Sequence, residues 1–333
     1  MVTGPGPGSG KLATCLNNLY HDYKHGVKAG YAKFETFPVW DLPLDHMVNV
    51  AYEAATADLR DKNMIDTHHL KAYGIQAVNY NRDIEAFKLL RRILEKITGG
   101  EPMYQSPTDM GVNRASSGIV DDVVVQEAAY QEVIRRYFRS SVEYAMGLTG
   151  RSTLDRSAEI MNRIGAKESD RKVVAAARKA ATDAEKKGKG YGGIFSGAAI
   201  ELHDGKIVTG KSSPLFHSAS SMILNATKHL AGLPDNMILL PESIIDSVTH
   251  LKKDILNGKQ VSLDVEETLI ALAISATSNP AAKMALEKLT ELYWCEMHST
   301  HIPTPGDEAG CRKLKVNLTC DPVFSSKRLF ISE

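Results

Sequence analysis

Residues 2–14, VTGPGPGSGKLAT, decide how the front of this chain folds and what it could hold. Successive backbone N–H groups of a glycine-rich turn can converge on an anion, and the N-terminus of a following helix adds positive partial charge. A lysine at the start of that helix would neutralise further charge. The stretch therefore predicts a phosphate-binding loop for ATP, another nucleotide or a phosphorylated small molecule, held by Gly4, Gly6, Gly8, Ser9, Gly10 and Lys11.

The loop fits the P-loop pattern G-x-x-x-x-G-K-[ST] only in part. Pro5 stands where the pattern has its first glycine, and Leu12 stands where it has the hydroxyl that binds Mg²⁺. Pro5 and Pro7 also lack the amide hydrogen that could bond to a phosphate. The alternative interpretation is a rigid Gly-Pro turn, or a flexible terminus, without a ligand.

If a nucleoside triphosphate binds, the chemistry expected is phosphoryl transfer or hydrolysis. Lys11 would stabilise charge on the transferred group, and Glu35 or Asp41 would orient the nucleophile or hold magnesium if the nucleotide carries it. Two other functions stay open. The protein could sense a nucleotide without catalysis, or it could be an enzyme for a small anionic metabolite with a purely structural glycine run.

The composition is that of a globular protein with two or three packed units. Of 333 residues, 43% are hydrophobic and 24% are charged, with 40 basic side chains balancing 40 acidic ones. The sequence has no dense basic patch of the kind that indicates nucleic-acid binding. None of its apolar stretches approaches the roughly 20 residues that a membrane helix needs. The sequence shows neither a signal peptide nor a disulfide framework, so the expected location is the cytoplasm. We also expect the protein to form a homo-oligomer.

Hydrophobic spacing predicts three regions, residues 1–79, 80–189 and 190–333. The first begins as loop, helix and strand (29–34), which is half of a βαβ unit whose other strand is expected upstream. The second is helical and includes a long helix over 121–146. The third begins after a linker with a hairpin at Asp204-Gly205, and then alternates helices with strands at 237–240, 295–302 and 317–320.

Five strings resemble the domain-of-unknown-function family 1846, also called uncharacterised protein family 0371. They are residues 2–14, 30–40 (GYAKFETFPVW), 51–58 (AYEAATAD), 106–113 (SPTDMGVN) and 229–232 (HLAG). The resemblance implies a Rossmann-like phosphate-binding front end, a helical bundle and a C-terminal three-layer α/β domain of cytidine-deaminase-like topology. It also implies a further N-terminal region that this chain lacks.

Four other residues are candidates for substrate binding. Asp109 and Asn113 lie in a polar loop before a helix, although turn and capping chemistry explains them almost as well. A zinc deaminase would need H-x-E or C-x-E followed by P-C-x-x-C, and the helix region near residues 218–222 has neither. The resemblance therefore predicts a zinc-free version, in which Lys211 and Ser220 help to bind an anion.

Two further groups could bind zinc by residue type alone. His21 and His25 lie four residues apart on one helix face. The residue directly after His21 is Asp22, at the position where a zinc peptidase has glutamate. Cys295 and His301 share one face of a predicted strand, while His298 points to the other. A polar helix face and a half-buried strand are the favoured interpretations, so no metal site is predicted.

Overall fold

The structure, a computed structural model, describes residues 1–4, 9–33, 38–101, 103–188, 190, 193–258 and 261–325. In this part of the chain the predicted mixed α/β class is confirmed, with twelve α-helices and two small sheets. Unit 1 comprises residues 1–136 and 155–163, and unit 2 comprises residues 137–154 and 164–333. The three predicted regions stay predictions. Across the described residues, no helix is long and apolar enough to cross a membrane.

Unit 1 is mostly helical. Its strands β1 and β2 pair antiparallel as the one described ladder of this unit. Its elements are α1 (Lys11–Lys24), α2 (Met47–Ala55), β1 (Asn63–Ile65), α3 (Thr67–Tyr73), β2 (Val78–Tyr80), α4 (Asn81–Thr98), the first part of α5 (Asp122–Ala145) and most of α6 (Arg151–Arg163).

An apolar cluster holds α1 against α4. Leu19 of α1 and Phe87 and Leu94 of α4 are buried in it, and Met110 joins them from the loop that follows α4. The apolar residues of α4 recur at helical spacing, so they form one stripe that can be removed from water together. The cluster therefore fixes both α1 and the loop around residue 110 to the same helix.

Unit 2 is built on a four-stranded sheet with the order β4-β3-β5-β6. Strand β3 is antiparallel to both of its neighbours, and β5 is parallel to β6. The elements are α7 (Lys172–Lys186), β3 (Gly197–Glu201), β4 (Ile207–Lys211), α8 (Ser218–Leu230), α9 (Glu242–His250) with a π-helical continuation (Leu251–Ile255), α10 (Val265–Ser275), α11 (Pro280–Glu287), β5 (Glu296–Ser299), α12 (Pro305–Lys313) and β6 (Asn317–Cys320).

Helices α7 and α8 cover opposite faces of this sheet. Ala198 and Ile200 of β3 pack in the cluster that contains Met222 of α8, whereas Ala199 packs with Val173 of α7. Successive side chains of a strand point to opposite faces, so the alternation of these small and branched residues serves both helices. Unit 2 therefore has three layers, with a helix on each side of the sheet.

Two strand predictions are wrong and one is too long. Residues 237–240 form a loop in which the buried Leu239 accepts a hydrogen bond from the Ser275 hydroxyl (2.6 Å) instead of joining a ladder. Residues 29–33, the described part of the predicted strand 29–34, are not a strand either. The Lys33 amide donates to the carbonyl of Met110 (2.8 Å), which lies in a turn. The strand predicted over 295–302 is confined to Glu296–Ser299.

A buried arginine joins the start of α7 to the sheet. Arg171 is 1% exposed, and its guanidinium donates to the Thr319 hydroxyl (2.9 Å) and to the carbonyls of Met297 (3.0 Å) and Asn317 (2.6 Å). It also forms an ion pair with Glu296. The planar fork of arginine carries five N–H donors in fixed directions, whereas a lysine has three on one nitrogen. Arg171 thereby closes the end of the β5–β6 pair.

We expect Arg171→Met to destabilise unit 2 by about 3 kcal/mol, because it leaves buried acceptors without a donor while keeping most of the side-chain volume. Urea unfolding followed by circular dichroism would measure the change. The neighbouring Lys172→Met is the control, since Lys172 is 72% exposed and its ion pair with Glu201 should contribute at most about 1 kcal/mol. Equal midpoints for the two variants would contradict this role.

We expect Gly210→Ala to displace α8 from the sheet. A Cβ atom at this position of β4 would overlap the backbone of Met222 and the carbonyl of Ser218, both in α8. Overpacking against backbone costs about 1–3 kcal/mol, measurable as a lower unfolding midpoint. Gly150→Ala in the same unit is the matched control, because the nearest atom to its new Cβ would be 3.9 Å away.

Candidate functional site

A polar concavity of unit 1 lies where α3 meets the loop after α4. It has a volume of about 390 Å³, and we call it the basin. Its lining combines an indole, an imidazole, a carboxylate and a guanidinium with a close-packed glycine. The lining residues are Trp40, His69, Thr108, Asp109, Gly111, Val112 and Arg114.

A buried carboxylate forms the floor beneath the basin. Asp66 is the N-cap of α3, and its Oδ1 accepts from the amides of His68 (2.9 Å) and His69 (3.1 Å). Its Oδ2 accepts from the hydroxyl (2.6 Å) and the amide (3.3 Å) of Thr108. Both oxygens are therefore used, which makes it acceptable to bury an ionised group that is 0% exposed. Asp66 joins α3 to the turn at residues 106–110.

His69 is held in a defined orientation at the edge of the basin. Its Nδ1 lies 2.9 Å from the Ser106 Oγ and 3.6 Å from the Asp109 Oδ1. The Ser106 Oγ already accepts from the amide of Asp109 (3.2 Å), so its own proton can go to Nδ1. The rings of Trp40 and Tyr73 flank the imidazole at centroid distances of 6.1 and 4.7 Å.

Asp109 has both a structural and an electrostatic role. Its Oδ2 accepts from the amides of Gln105 (2.7 Å) and Ser106 (3.0 Å), and this completes a capping box with the Ser106 hydroxyl. The same oxygen accepts from the Tyr73 hydroxyl (3.0 Å). Two effects raise the pKa of Tyr73 above its ordinary value of 10.0. The larger effect is desolvation, and the next is the hydrogen bond to Asp109. Tyr73 therefore stays a neutral donor at the rim.

The wall that carries Trp40 belongs to a segment that is anchored by the buried side-chain amide of Asn49. The Asn49 side chain bonds both the amide (2.7 Å) and the carbonyl (3.1 Å) of Val39 and is 0% exposed. Val39 in turn bridges to Asn113, which brings Trp40 beside the basin. A Cβ atom on Gly111 would overlap the carbonyl of Lys33, so only glycine permits this approach.

One of the sequence candidates lines the basin and two lie beside it. Asp109 lines it, as described. Asn113 is adjacent, but its amide donates to the Tyr52 hydroxyl (3.0 Å) and accepts from the Ala115 amide (3.0 Å). Asp41 follows Trp40 directly, is exposed, and accepts from the Ser116 hydroxyl (2.8 Å). Glu35 lies outside the described residues.

The ends of the glycine run are described, but its middle is not. Gly6 and Gly8 lie outside the described residues, whereas Gly4, Ser9 and Gly10 are exposed. Gly10 has φ 81°, the left-handed region that favours glycine, and α1 begins at the next residue. The Lys11 Nζ lies 3.4 Å from the Ser9 hydroxyl. Gly10, the N-cap of α1, has no side chain that could cap the helix, and the first turn of α1 contains no acidic residue.

The last two candidates lie in unit 2. The Lys211 Nζ, at the end of β4, is 3.9 Å from a carboxylate oxygen of Asp183. Ser220 is 0% exposed, and its hydroxyl donates to the Leu263 carbonyl (3.1 Å). Their roles in substrate binding stay predictions. Within the described ranges, no group of three or more His, Cys, Asp or Glu side chains is arranged to hold a metal ion.

Sequence reasoning missed most of the basin. Asp66 precedes a helical pattern and could have been identified as an N-cap. His69 meets Ser106 across 37 positions and Trp40 across the fold, so no local spacing indicates their proximity. Arg114 belongs to no sequence motif that would have singled it out. The one available signal was that residues 30–40 and 106–113 both belong to the strings that resemble the family.

Comparison with known proteins gives matches along nearly the whole chain. The family models "Domain of unknown function DUF1846, N-terminal" and "Domain of unknown function DUF1846, C-terminal" match residues 1–165 and 169–330. A UPF0371 protein of Clostridium tetani is 51% identical over 330 residues, which cover 99% of this chain and 66% of that protein. The UPF0371 protein FN1121 of Fusobacterium nucleatum is 52% identical over 336 residues, covering 100% and 66%.

The chain thus spans 66% of the length of these relatives. The coverage does not tell which part of the relatives lies outside the matched length. The expected loss of an N-terminal region therefore finds no support in these comparisons.

We expect Asp66→Ala to destabilise unit 1 by about 2–4 kcal/mol, because it removes the cap of α3 and leaves the Thr108 donors buried without an acceptor. Asp58→Ala is the control, since Asp58 is exposed and should change stability by no more than about 0.5 kcal/mol. In a Trp294→Phe background, Trp40 is the single remaining tryptophan of the two. Its emission should shift to the red only in the Asp66 variant if the basin opens.

Proposed function

The chain belongs to the DUF1846 family of domains of unknown function, and on that premise we propose that unit 1 binds a phosphorylated small molecule, most specifically a nucleotide such as ATP. The observation that carries this proposal is the start of α1 directly behind the glycine run. Its N-cap, Gly10, has a left-handed φ of 81° and no side chain, and the first turn of α1 contains no acidic residue. Such a helix start attracts phosphate through its N–H groups and its dipole.

Lys11 adds a mobile positive charge at the same place. It is the first residue of α1 and is half-buried, and its ammonium group reaches the neighbouring Ser9 hydroxyl. A lysine at the start of a helix can follow a phosphate as a point charge, as P-loop lysines do. Leu12 offers no oxygen to magnesium, so a magnesium ion would depend on phosphate oxygens, on Asp41 and on the predicted Glu35.

The basin supplies complementary chemistry for the rest of such a ligand. Trp40 offers an aromatic face for a flat ring, and the exposed Arg114 offers a planar guanidinium for a phosphate or carboxylate. The basin volume lies within the roughly 300–1,000 Å³ that is usual for small-molecule sites. The cluster of Leu19, Phe87 and Met110 ties α1 and the basin loop to one helix. Both features therefore belong to one packed unit.

The finer fold assignments belong to the same proposal. In unit 2, the sheet order β4-β3-β5-β6, with β3 antiparallel to both neighbours and helices on both faces, supports a cytidine-deaminase-like topology. In unit 1, a Rossmann-like front end would need parallel strands, and the described residues supply the antiparallel pair β1–β2. The Rossmann-like assignment therefore rests on the resemblance of the glycine run.

A second candidate function is supported by His69. An imidazole whose Nδ1 is fixed by a hydroxyl and a carboxylate, at the edge of a polar concavity, is suited to general acid or base catalysis. In that case unit 1 would act on a small anionic metabolite in the basin, with Arg114 as the anion partner and a purely structural glycine run.

We expect ATP to bind the full chain and Lys11→Ala to weaken that binding by about tenfold or more, since a charge-assisted hydrogen bond contributes about 1.5–3 kcal/mol. Isothermal titration calorimetry with and without magnesium would measure the affinity. Lys28→Ala is the matched control, because Lys28 is exposed and lies beyond the other end of α1. Quenching of Trp40 emission in the Trp294→Phe background would report contact with the basin.

The variants separate the two candidate functions. If Lys11→Ala binds ATP as tightly as the unchanged protein, the glycine run does not hold the phosphates. If Arg114→Ala then abolishes binding while Lys11→Ala does not, the basin is the anion site and the second function is favoured. Binding of ATP without release of phosphate, with magnesium present, would indicate a sensor rather than a hydrolase.

A further inference from the structure

A second, smaller cavity lies in unit 2 at the N-terminal end of α8. It measures about 70 Å³, and we call it the α8 cavity. Its polar lining consists mainly of hydroxyl groups rather than charged side chains, in contrast to the basin. The polar residues that the following argument uses are Ser212, Ser218, Ser262, His217, Thr304 and Asp307.

Ser262 is the feature of this cavity that the fold does not explain. It is 1% exposed, and within the described structure its hydroxyl has no hydrogen-bond partner. A buried hydroxyl without a partner costs about 1–3 kcal/mol, so such groups usually meet a ligand or an ordered water. Since Ser262 lines the cavity, a ligand there would satisfy it.

Two neighbouring hydroxyls line the same space, and each accepts a hydrogen bond from Ser196. The Ser212 Oγ accepts from the Ser196 amide (3.0 Å), and the Ser218 Oγ accepts from the Ser196 hydroxyl (3.0 Å). A serine hydroxyl that accepts one bond still has its own proton to donate. Together with Ser262, these residues give the cavity an excess of donors, which suits a ligand rich in acceptors.

The start of α8 adds backbone donors. Helix α8 runs for 13 residues, the side chain of its N-cap residue His217 does not cap it, and its first turn contains no acidic residue. Its first amides therefore point out of the helix, and the helix dipole adds positive partial charge at the Ser218 end. Helix α8 is held against the sheet by the close approach of Gly210, so this end is fixed in place.

The carboxylate in the lining makes its hydrogen bonds within the fold. Asp307 is 6% exposed, and its Oδ2 accepts from the His217 Nδ1 (2.7 Å) and the Thr304 hydroxyl (2.8 Å). Its Oδ1 accepts from the amide of Val265 (3.0 Å). Three donors thus occupy its oxygens, and the pair with His217 orients the imidazole that lines the cavity.

We propose that the α8 cavity binds a small tetrahedral oxyanion, a phosphate group, through the first amides of α8 and the hydroxyls of Ser212, Ser218 and Ser262. A water needs about 10–15 Å³ of such space, so the cavity accommodates on the order of five non-hydrogen atoms. Inorganic phosphate has that size. The site lies in unit 2 and shares no residue with the nucleotide site proposed in unit 1.

The test uses the full chain in a Lys11→Ala background, so that the glycine run contributes as little as possible to phosphate binding. Calorimetric titration with inorganic phosphate should show one site, and Ser262→Ala should weaken it about tenfold, because a charge-assisted donor is lost. Ser247→Ala, an exposed serine of α9 in the same unit, should leave phosphate affinity unchanged. Titration with acetate should give weaker binding than phosphate, because a planar carboxylate offers fewer acceptors.

The outcomes are decisive in either direction. Ser262→Ala removes a hydroxyl without a partner, so the variant should fold with an unfolding midpoint no lower than that of its parent. Unchanged phosphate affinity in this variant, or no phosphate binding by its parent, overturns the proposal. Acetate binding as tightly as phosphate overturns the tetrahedral preference. Loss of ATP binding in Lys11→Ala with phosphate binding retained would separate this site from the one proposed in unit 1.

Discussion

The hydrogen bonds of one buried carboxylate, Asp66, hold together the parts of unit 1 from which a binding site could form. One oxygen caps α3 and the other holds Thr108, so the helix that carries His69 and the turn that carries Ser106 and Asp109 cannot move independently. The ionised group can be buried because several donors replace the water it has lost. Once this joint is fixed, Ser106 can orient the imidazole, and Asp109 can hold the hydroxyl of Tyr73 at the rim.

The same device occurs in unit 2 with different residues. Asp307 is buried near the start of α12, and its oxygens accept from His217, Thr304 and Val265. In both units a fully bonded carboxylate supports a histidine beside a concave surface. A carboxylate whose oxygens are all hydrogen-bonded within the fold has little acceptor capacity left for a ligand, so the amides and hydroxyls nearby make the direct contacts.

Local signals in the sequence were enough for several elements. The Asp204-Gly205 pair lies in the turn between β3 and β4, where Gly205 has φ 80°, and the long helix predicted over 121–146 is α5 (Asp122–Ala145). Both predictions depend on short-range patterns, namely turn residues and helical periodicity, which can be identified directly in the sequence. The apolar run 237–240 was misread as a strand because burial alone does not separate a strand from a loop packed against helices. Leu239 and Leu240 are buried there among residues of α10 and α11.

The candidate site could be predicted less well, for a physical reason. The glycine run is contiguous, so a sequence motif can indicate it, but the contact between His69 and Ser106 exists only after α3, α4 and the loop have packed. The shape that results also limits what each unit could take. A concavity of 390 Å³ with an indole in its wall can hold a ring and its substituents, whereas 70 Å³ beside α8 can hold little more than one phosphate group. A ligand large enough to contact both Trp40 and Arg114 is therefore too large for the α8 cavity. The size of a ligand, more than its charge, would then determine which of the two sites it can enter.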